Sequence, residues 1–157
     1  MRLTRRGRLT AGVMLAVVVL SAVVLVLTRR SDGVVRPADP CAERPAMVSY
    51  KGVTLQPVPM RAFRDAQRAA RGRIDVVESY RSCAQQRIDC IRICGNANGC
   101  PGRCVRPGTS YHQLGAAIDI TRGSLDTPGV MAALTDAGWC ESVPETDPGH
   151  FSYGGCH

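Results

Sequence analysis

Ser110-Tyr111-His112-Gln113-Leu114-Gly115-Ala116-Ala117-Ile118-Asp119 sets a histidine and an aspartate in a Ser-x-His-x-x-Gly-x-Ala-x-Asp frame, and His150 follows in Asp147-Pro148-Gly149-His150-Phe151. Residues 116–120 read as a short strand of period two, so Ala117 and Asp119 share one face while Ile118 and Ile120 turn to the other. In residues 150–153, Phe151 and Tyr153 turn inward and leave His150 and Ser152 opposite, where His150 meets Asp119 on a neighbouring strand. Two imidazoles and a carboxylate suit a divalent first-row ion, and three protein ligands leave a fourth position open, as catalytic zinc requires. Gly115 fits a close backbone approach between the ligands. Taken singly, a strand histidine is more often structural. Here two of the chain's three histidines fall on the frame, and the third, His157, is the last residue.

Outward from that frame, the length allows one domain plus an N-terminal segment that is not part of it. Residues 9–28 carry no charge and are flanked by Arg2, Arg5, Arg6 and Arg8 before and by Arg29 and Arg30 after. About 20 apolar residues are enough to cross a bilayer. No convincing cleavage site follows, so the segment reads as a signal anchor rather than a cleaved signal peptide, with the rest of the chain extracytoplasmic in the cell membrane. The expected organisation is a basic tail and transmembrane anchor over 1–30, a Pro-, Asp- and Arg-rich linker over 31–45, and a folded domain over 46–157.

The net charge is +7, but six arginines and no acid lie in the first thirty residues, leaving an excess of one for the remainder. With 4% aromatics and no basic run after residue 30, nothing supports a nucleic-acid surface.

All eight cysteines follow the apolar segment. An even number in an exported small domain reads as disulfides; a cysteine zinc site from Cys90, Cys94, Cys100 and Cys104 is the alternative. The equal spacing of both arms around 95–99 suggests a helical hairpin with nested bridges, Cys90 to Cys104 and Cys94 to Cys100. Cys140 and Cys156 flank the His150 strand as a further pair, leaving Cys41 with Cys83. Met60, Phe63, Ala66 and Ala70 recur at helical spacing up to Gly72, and residues 74–79 then read as a strand. Thr127-Pro128 reads as a helix start and Gly138 as its stop before Trp139, a core residue. Together these predict an α+β domain, a small antiparallel sheet with flanking helices, stabilised by disulfides and preceded by one N-terminal transmembrane helix.

The Ser110 to Asp119 frame with His150, together with Ser79-Tyr80-Arg81-Ser82 and Gln85 or Gln86, resembles the zinc D-Ala-D-Ala carboxypeptidases and related peptidoglycan peptidases, the VanY-type and LAS group of the M15 peptidases. The resemblance spans roughly residues 62–153. It implies Zn²⁺ on His112, Asp119 and His150, and a substrate carboxylate or carbonyl held by Arg81, whose planar fork suits it. It also implies substrate contacts from Ser110 and Gln86, and a general base at Asp147. Two departures stand out: Asp147 occupies the position where the family commonly has Glu, and Gly149 the position of its Trp. Glu145 is the reserve candidate for the base. A Cys-rich insertion over 83–106 also separates the arginine from the metal frame. The implied function is a membrane-anchored D,D-carboxypeptidase acting on peptidoglycan stem peptides. An endopeptidase of the same fold, or a catalytically silent metal-containing wall-binding module, is the alternative. Taken without the rest of the motif, Arg81 would read as a surface arginine paired with Asp75 or Glu78, and Ser110 as a turn cap.

Overall fold

The computed structural model describes residues 33–155; the expected transmembrane anchor and the Cys156 end of the expected Cys140 pair lie outside them. Among the described residues no helix is long and apolar enough to cross a membrane.

A hairpin of β1 (Val48–Tyr50) and β2 (Val53–Leu55) leads into helix α1 (Pro57–Ala69). Proline fits at the start of α1 because the N–H it lacks would have no helical partner there. The helix therefore begins about a turn before Met60, and it buries Met60, Phe63 and Ala66 along one side. Then follow β3 (Val76–Glu78), α2 (Cys83–Cys94), α3 (Tyr111–Leu114), β4 (Ala117–Ile120), α4 (Arg122–Leu125), α5 (Val130–Asp136), β5 (Trp139–Glu141) and β6 (His150–Tyr153). The last four strands form one antiparallel sheet in the order β3-β4-β6-β5. This is the α+β arrangement the sequence predicts.

Alternation along these strands makes the sheet two-faced. Ile118 and Phe151 are paired across β4 and β6 and fully buried, and they join Phe63, Met60, Leu134 and Trp139 in one core with α1 and α5. Trp139 packs edge-on against Tyr153, with ring centroids 5.5 Å apart. The opposite face carries Asp119 directly across from His150.

One bulge alters that alternation. Val76 pairs with Ile120 and Glu78 with Asp119, so two steps along β3 match one along β4, with Val77 as the extra residue, 69% exposed. Val76 thus packs on the core while Glu78, two residues on, reaches the Asp119 face.

Several expectations change. The helix near Thr127 begins only at Val130, after Gly129 in a left-handed conformation (φ 83°), and Thr127 Oγ1 instead donates to the Gly123 carbonyl at 2.6 Å. That hydroxyl is thus spent on the preceding turn and does not cap a helix at Thr127. In the Cys-rich segment only the first arm is helical. Ser82 caps α2, and Gly95 (φ 73°) ends it, while Cys100 and Cys104 meet through a single β-bridge. Pro101 and Gly102 favour such a turn over a helix. The nested bridges themselves are present, Cys90–Cys104 and Cys94–Cys100, as is Cys41–Cys83. No cysteine among the described residues is free, which sets aside the cysteine-metal alternative.

The segment read as a linker is docked from its first described residues. Val34 is buried with Leu114 and Ala116. The buried Gln56 amide clamps Val35 through both backbone groups, accepting from its N–H at 2.7 Å and donating to its carbonyl at 2.8 Å.

Candidate metal centre and active site

His112 lies on α3, a one-turn helix that local chemistry closes at both ends. Ser110 Oγ accepts from the His112 N–H at 3.2 Å, and Gln113 reaches back to complete a capping box. Gly115 ends the turn at φ 66°; a Cβ there would meet the Met47 side chain and lie 3.1 Å from the Gln56 nitrogen, so the left-handed turn and the close approach together favour glycine. This anchors His112, 4% exposed at its side chain, against the edge of the sheet.

Three donor atoms converge in front of β4 and β6. His112 Nε2 lies 3.2 Å from His150 Nδ1 and 3.3 Å from Asp119 Oδ1, and His150 Nδ1 lies 2.8 Å from Asp119 Oδ1. A tetrahedral ion with metal–nitrogen bonds of 2.0–2.1 Å separates its ligands by about 3.3 Å. The triangle fits that ion with slight contraction, and its donors are the types that bind divalent zinc.

The outer ring nitrogen of His112 fixes its tautomer. The Ser79 carbonyl lies 2.5 Å from His112 Nδ1, and a carbonyl can only accept, so Nδ1 carries the proton and Nε2 presents its lone pair inward. His150 Nε2 lies 3.3 Å from Ser152 Oγ, itself 3.0 Å from Ser142 Oγ. Burial works to raise the pKa of Asp119. Hydrogen bonds and positive charge from His112 and His150, when each ring carries both protons, outweigh it and hold the carboxyl far below the usual range. It is an anion throughout the neutral region.

Glu78, Asp119 and His150 form one row across three strands. Two carboxylates directly opposite each other are unfavourable unless neutralised. Arg81 supplies that neutralisation. Its Nε donates to Glu78 Oε1 at 2.5 Å, its Nη2 pairs with Glu78 Oε2, and Asp89 Oδ2 lies 3.6 Å from Nε. The Glu78 hydrogen bond raises the Arg81 pKa, burial opposes it, and the charges of Glu78, Asp89 and Asp119 add to the rise. Arg81 is thus paired with Glu78 and also lies within the field of the metal site.

The other expected residues separate into two groups. Gln86 is 1% exposed and stands behind Arg81, accepting from Nη1 at 2.9 Å, with no open path to a ligand. Ser110 uses its oxygen as a cap and retains its hydroxyl proton. Asp147 and Glu145 sit on the exposed turn before β6. Gly149 there takes φ 95°, and a Cβ would meet the Ile120 carbonyl at 3.0 Å, so a large residue does not fit this backbone. Sequence reasoning missed the Ser79 carbonyl, which has no side-chain signal. It also missed the support from Ser142, which only the β5–β6 turn brings to Ser152.

No protein-family model and no curated protein matches the sequence. The fold does match solved structures. VanYB in complex with D-alanine-D-alanine has a TM-score of 0.57 at 21% identity, covering 76% of this chain and 81% of that one. A glutamate-to-alanine mutant of the vancomycin resistance D,D-pentapeptidase VanY, in complex with Zn(II), gives 0.54 at 19%, covering 71% and 80%. The LdcB LD-carboxypeptidase, solved for its peptidoglycan recognition, gives 0.51 at 19%, covering 78% and 71%. The fold expected from the resemblance is the fold found.

Proposed function

We propose that this chain is a zinc peptidase that trims the terminal D-alanine from peptidoglycan stem peptides, held at the cell membrane by its N-terminal apolar segment with the folded domain outside. The triangle of His112 Nε2, Asp119 Oδ1 and His150 Nδ1 carries this reading, and it stands on a fold like those solved with Zn(II) and with D-Ala-D-Ala. Bound there, zinc supplies Lewis acidity toward the scissile carbonyl and makes a bound water acidic near neutrality.

The chain's own residues supply the rest. Arg81 has five N–H donors, of which three are engaged by Glu78 and Gln86. One remains on each terminal nitrogen, the pair that a C-terminal carboxylate takes end-on. Ser110 offers its hydroxyl proton to the substrate backbone beside His112. Asp147, whose carboxylate engages no partner among the described residues, takes the proton of the attacking water and passes it to the leaving amine.

Incubating the full-length protein with muropeptides ending in D-Ala-D-Ala, with and without chelator, tests the proposal by mass. Loss of one alanine, abolished by chelation and restored by zinc, is expected. Cleavage within the stem or cross-bridge instead would make it an endopeptidase, and no cleavage with zinc bound would make it a silent wall-binding module.

A further inference from the structure

The Cys-rich insertion has no part in the chemistry above, yet its bridges converge on a residue that does. Gln86 Nε2 donates to the Val105 carbonyl at 2.8 Å and lies 3.4 Å from Cys104 Sγ and 3.7 Å from Cys90 Sγ. Its other end accepts from Arg81 Nη1. Cys90 is fully buried, and the Cys90–Cys104 bridge holds Val105 over the helix that carries Gln86. With one amide end fixed to this cystine and its adjoining backbone, and the other on the guanidinium, Gln86 has no freedom to follow Arg81 if it rotates.

We propose that the insertion is a brace for Arg81, with Gln86 as a positioning residue that selects which edge of the guanidinium meets the substrate. This rests on the reading of Arg81 as the holder of the substrate's C-terminal carboxylate. Glu78 takes the Nε–Nη2 edge. Without Gln86, Nη1 has no fixed partner, and the plane can swing about its Glu78 contact. On this proposal the braced plane presents its Nη1–Nη2 edge to the substrate, a preorganisation that lowers the cost of binding an anion there. The insertion thereby sets affinity for a free chain end, a property separate from bond cleavage at the metal.

Steady-state kinetics of the full-length protein test this on a synthetic stem pentapeptide ending in D-Ala-D-Ala, as the free acid and as the C-terminal amide. Wild type is compared with Arg81→Ala, Gln86→Met and the paired Cys90→Ala, Cys104→Ala variant, each checked for zinc content and melting temperature. Gln86→Met should raise KM for the free acid about 10-fold, the scale of one hydrogen bond to a charged group. Its kcat and its KM for the amide should stay within about 2-fold, since only ground-state holding of the carboxylate changes. The cysteine pair variant should shift the free-acid KM in the same direction and decides the matter if Gln86→Met does not fold. Wild-type KM on the free acid in both braced-residue variants, with Arg81→Ala impaired, overturns the brace and leaves Arg81's role standing. Unchanged KM in Arg81→Ala overturns that role and the brace with it.

Discussion

The row of Glu78, Asp119 and His150 and the Cys-rich segment behind it are ordered by different physics. The row lies on a sheet whose other face buries Ile118, Phe151 and Trp139, so apolar burial fixes where its ligands stand. The segment buries little: within α2 only Gln86 and Cys90 are buried, and Ile88, Ile91 and Val105 are more than half exposed. Covalent closure substitutes for a core there, as in small exported domains that cannot bury enough apolar surface. The metal ligands and the brace proposed for Arg81 therefore have separate supports and should fail separately.

The largest effect should come from the three converging metal ligands. Replacing His112 or Asp119 by Ala should abolish zinc loading and with it all turnover, because two ligands do not make a closed site. Elemental analysis of purified protein is the check, and a full complement of zinc in both variants would remove the site from consideration.

Next in size is the turn before β6. Asp147→Asn should keep zinc and lose about 10²- to 10⁴-fold in rate, the range for a general base, whereas Glu145→Gln should change little. Near-normal turnover in Asp147→Asn with loss in Glu145→Gln would transfer the role to Glu145.

The cystines sharpen the contrast further. Bridges separated by 42, 14 and 6 residues should differ in their contribution, with chain-entropy values of about 4, 3 and 2 kcal/mol respectively. Calorimetry of the paired Cys→Ala variants should follow that order, with zinc retained in all three. Loss of zinc on opening Cys94–Cys100 would show that the two regions are one cooperative unit after all.

The smallest effect concerns Ser110. Removing its cap in Ser110→Ala should cost about 1 kcal/mol, read as a modest fall in melting temperature. No fall would mean that Gln113 alone, which accepts from the Gly108 and Ser110 N–H groups, sustains the turn.

Most of the metal centre was legible because its determinants are periodic. Ile118 and Phe151 announce their face by alternation, and that assigns Asp119 and His150 to the other. The nested cystines were legible from equal spacing. What was not legible depends on departures from period or on backbone groups. The bulge at Val77 reverses the face of Glu78 without any change in residue type, so the sequence shows β3 as a plain strand. The Ser79 carbonyl that orients His112 belongs to the main chain, which every residue shares. The docking of Val35 depends on Gln56, a polar residue whose full burial gives no apolar signal. The late start at Val130 follows from Gly129 adopting a conformation that its neighbours do not reveal.

Two hydrogen bonds join the Arg81 segment to His112. The Ser79 carbonyl receives the His112 ring, and the His112 carbonyl receives the Arg81 N–H at 3.3 Å. The span between His112 and the Arg81 backbone is thereby closed over three consecutive residues, 79–81. With the roles proposed above for the metal site and for Arg81, such a span would act as a ruler. On the proposed function it would measure from the chain end inward and favour a single length of trimmed residue, so enlarging what is removed would require resetting the 79–81 segment rather than widening a pocket.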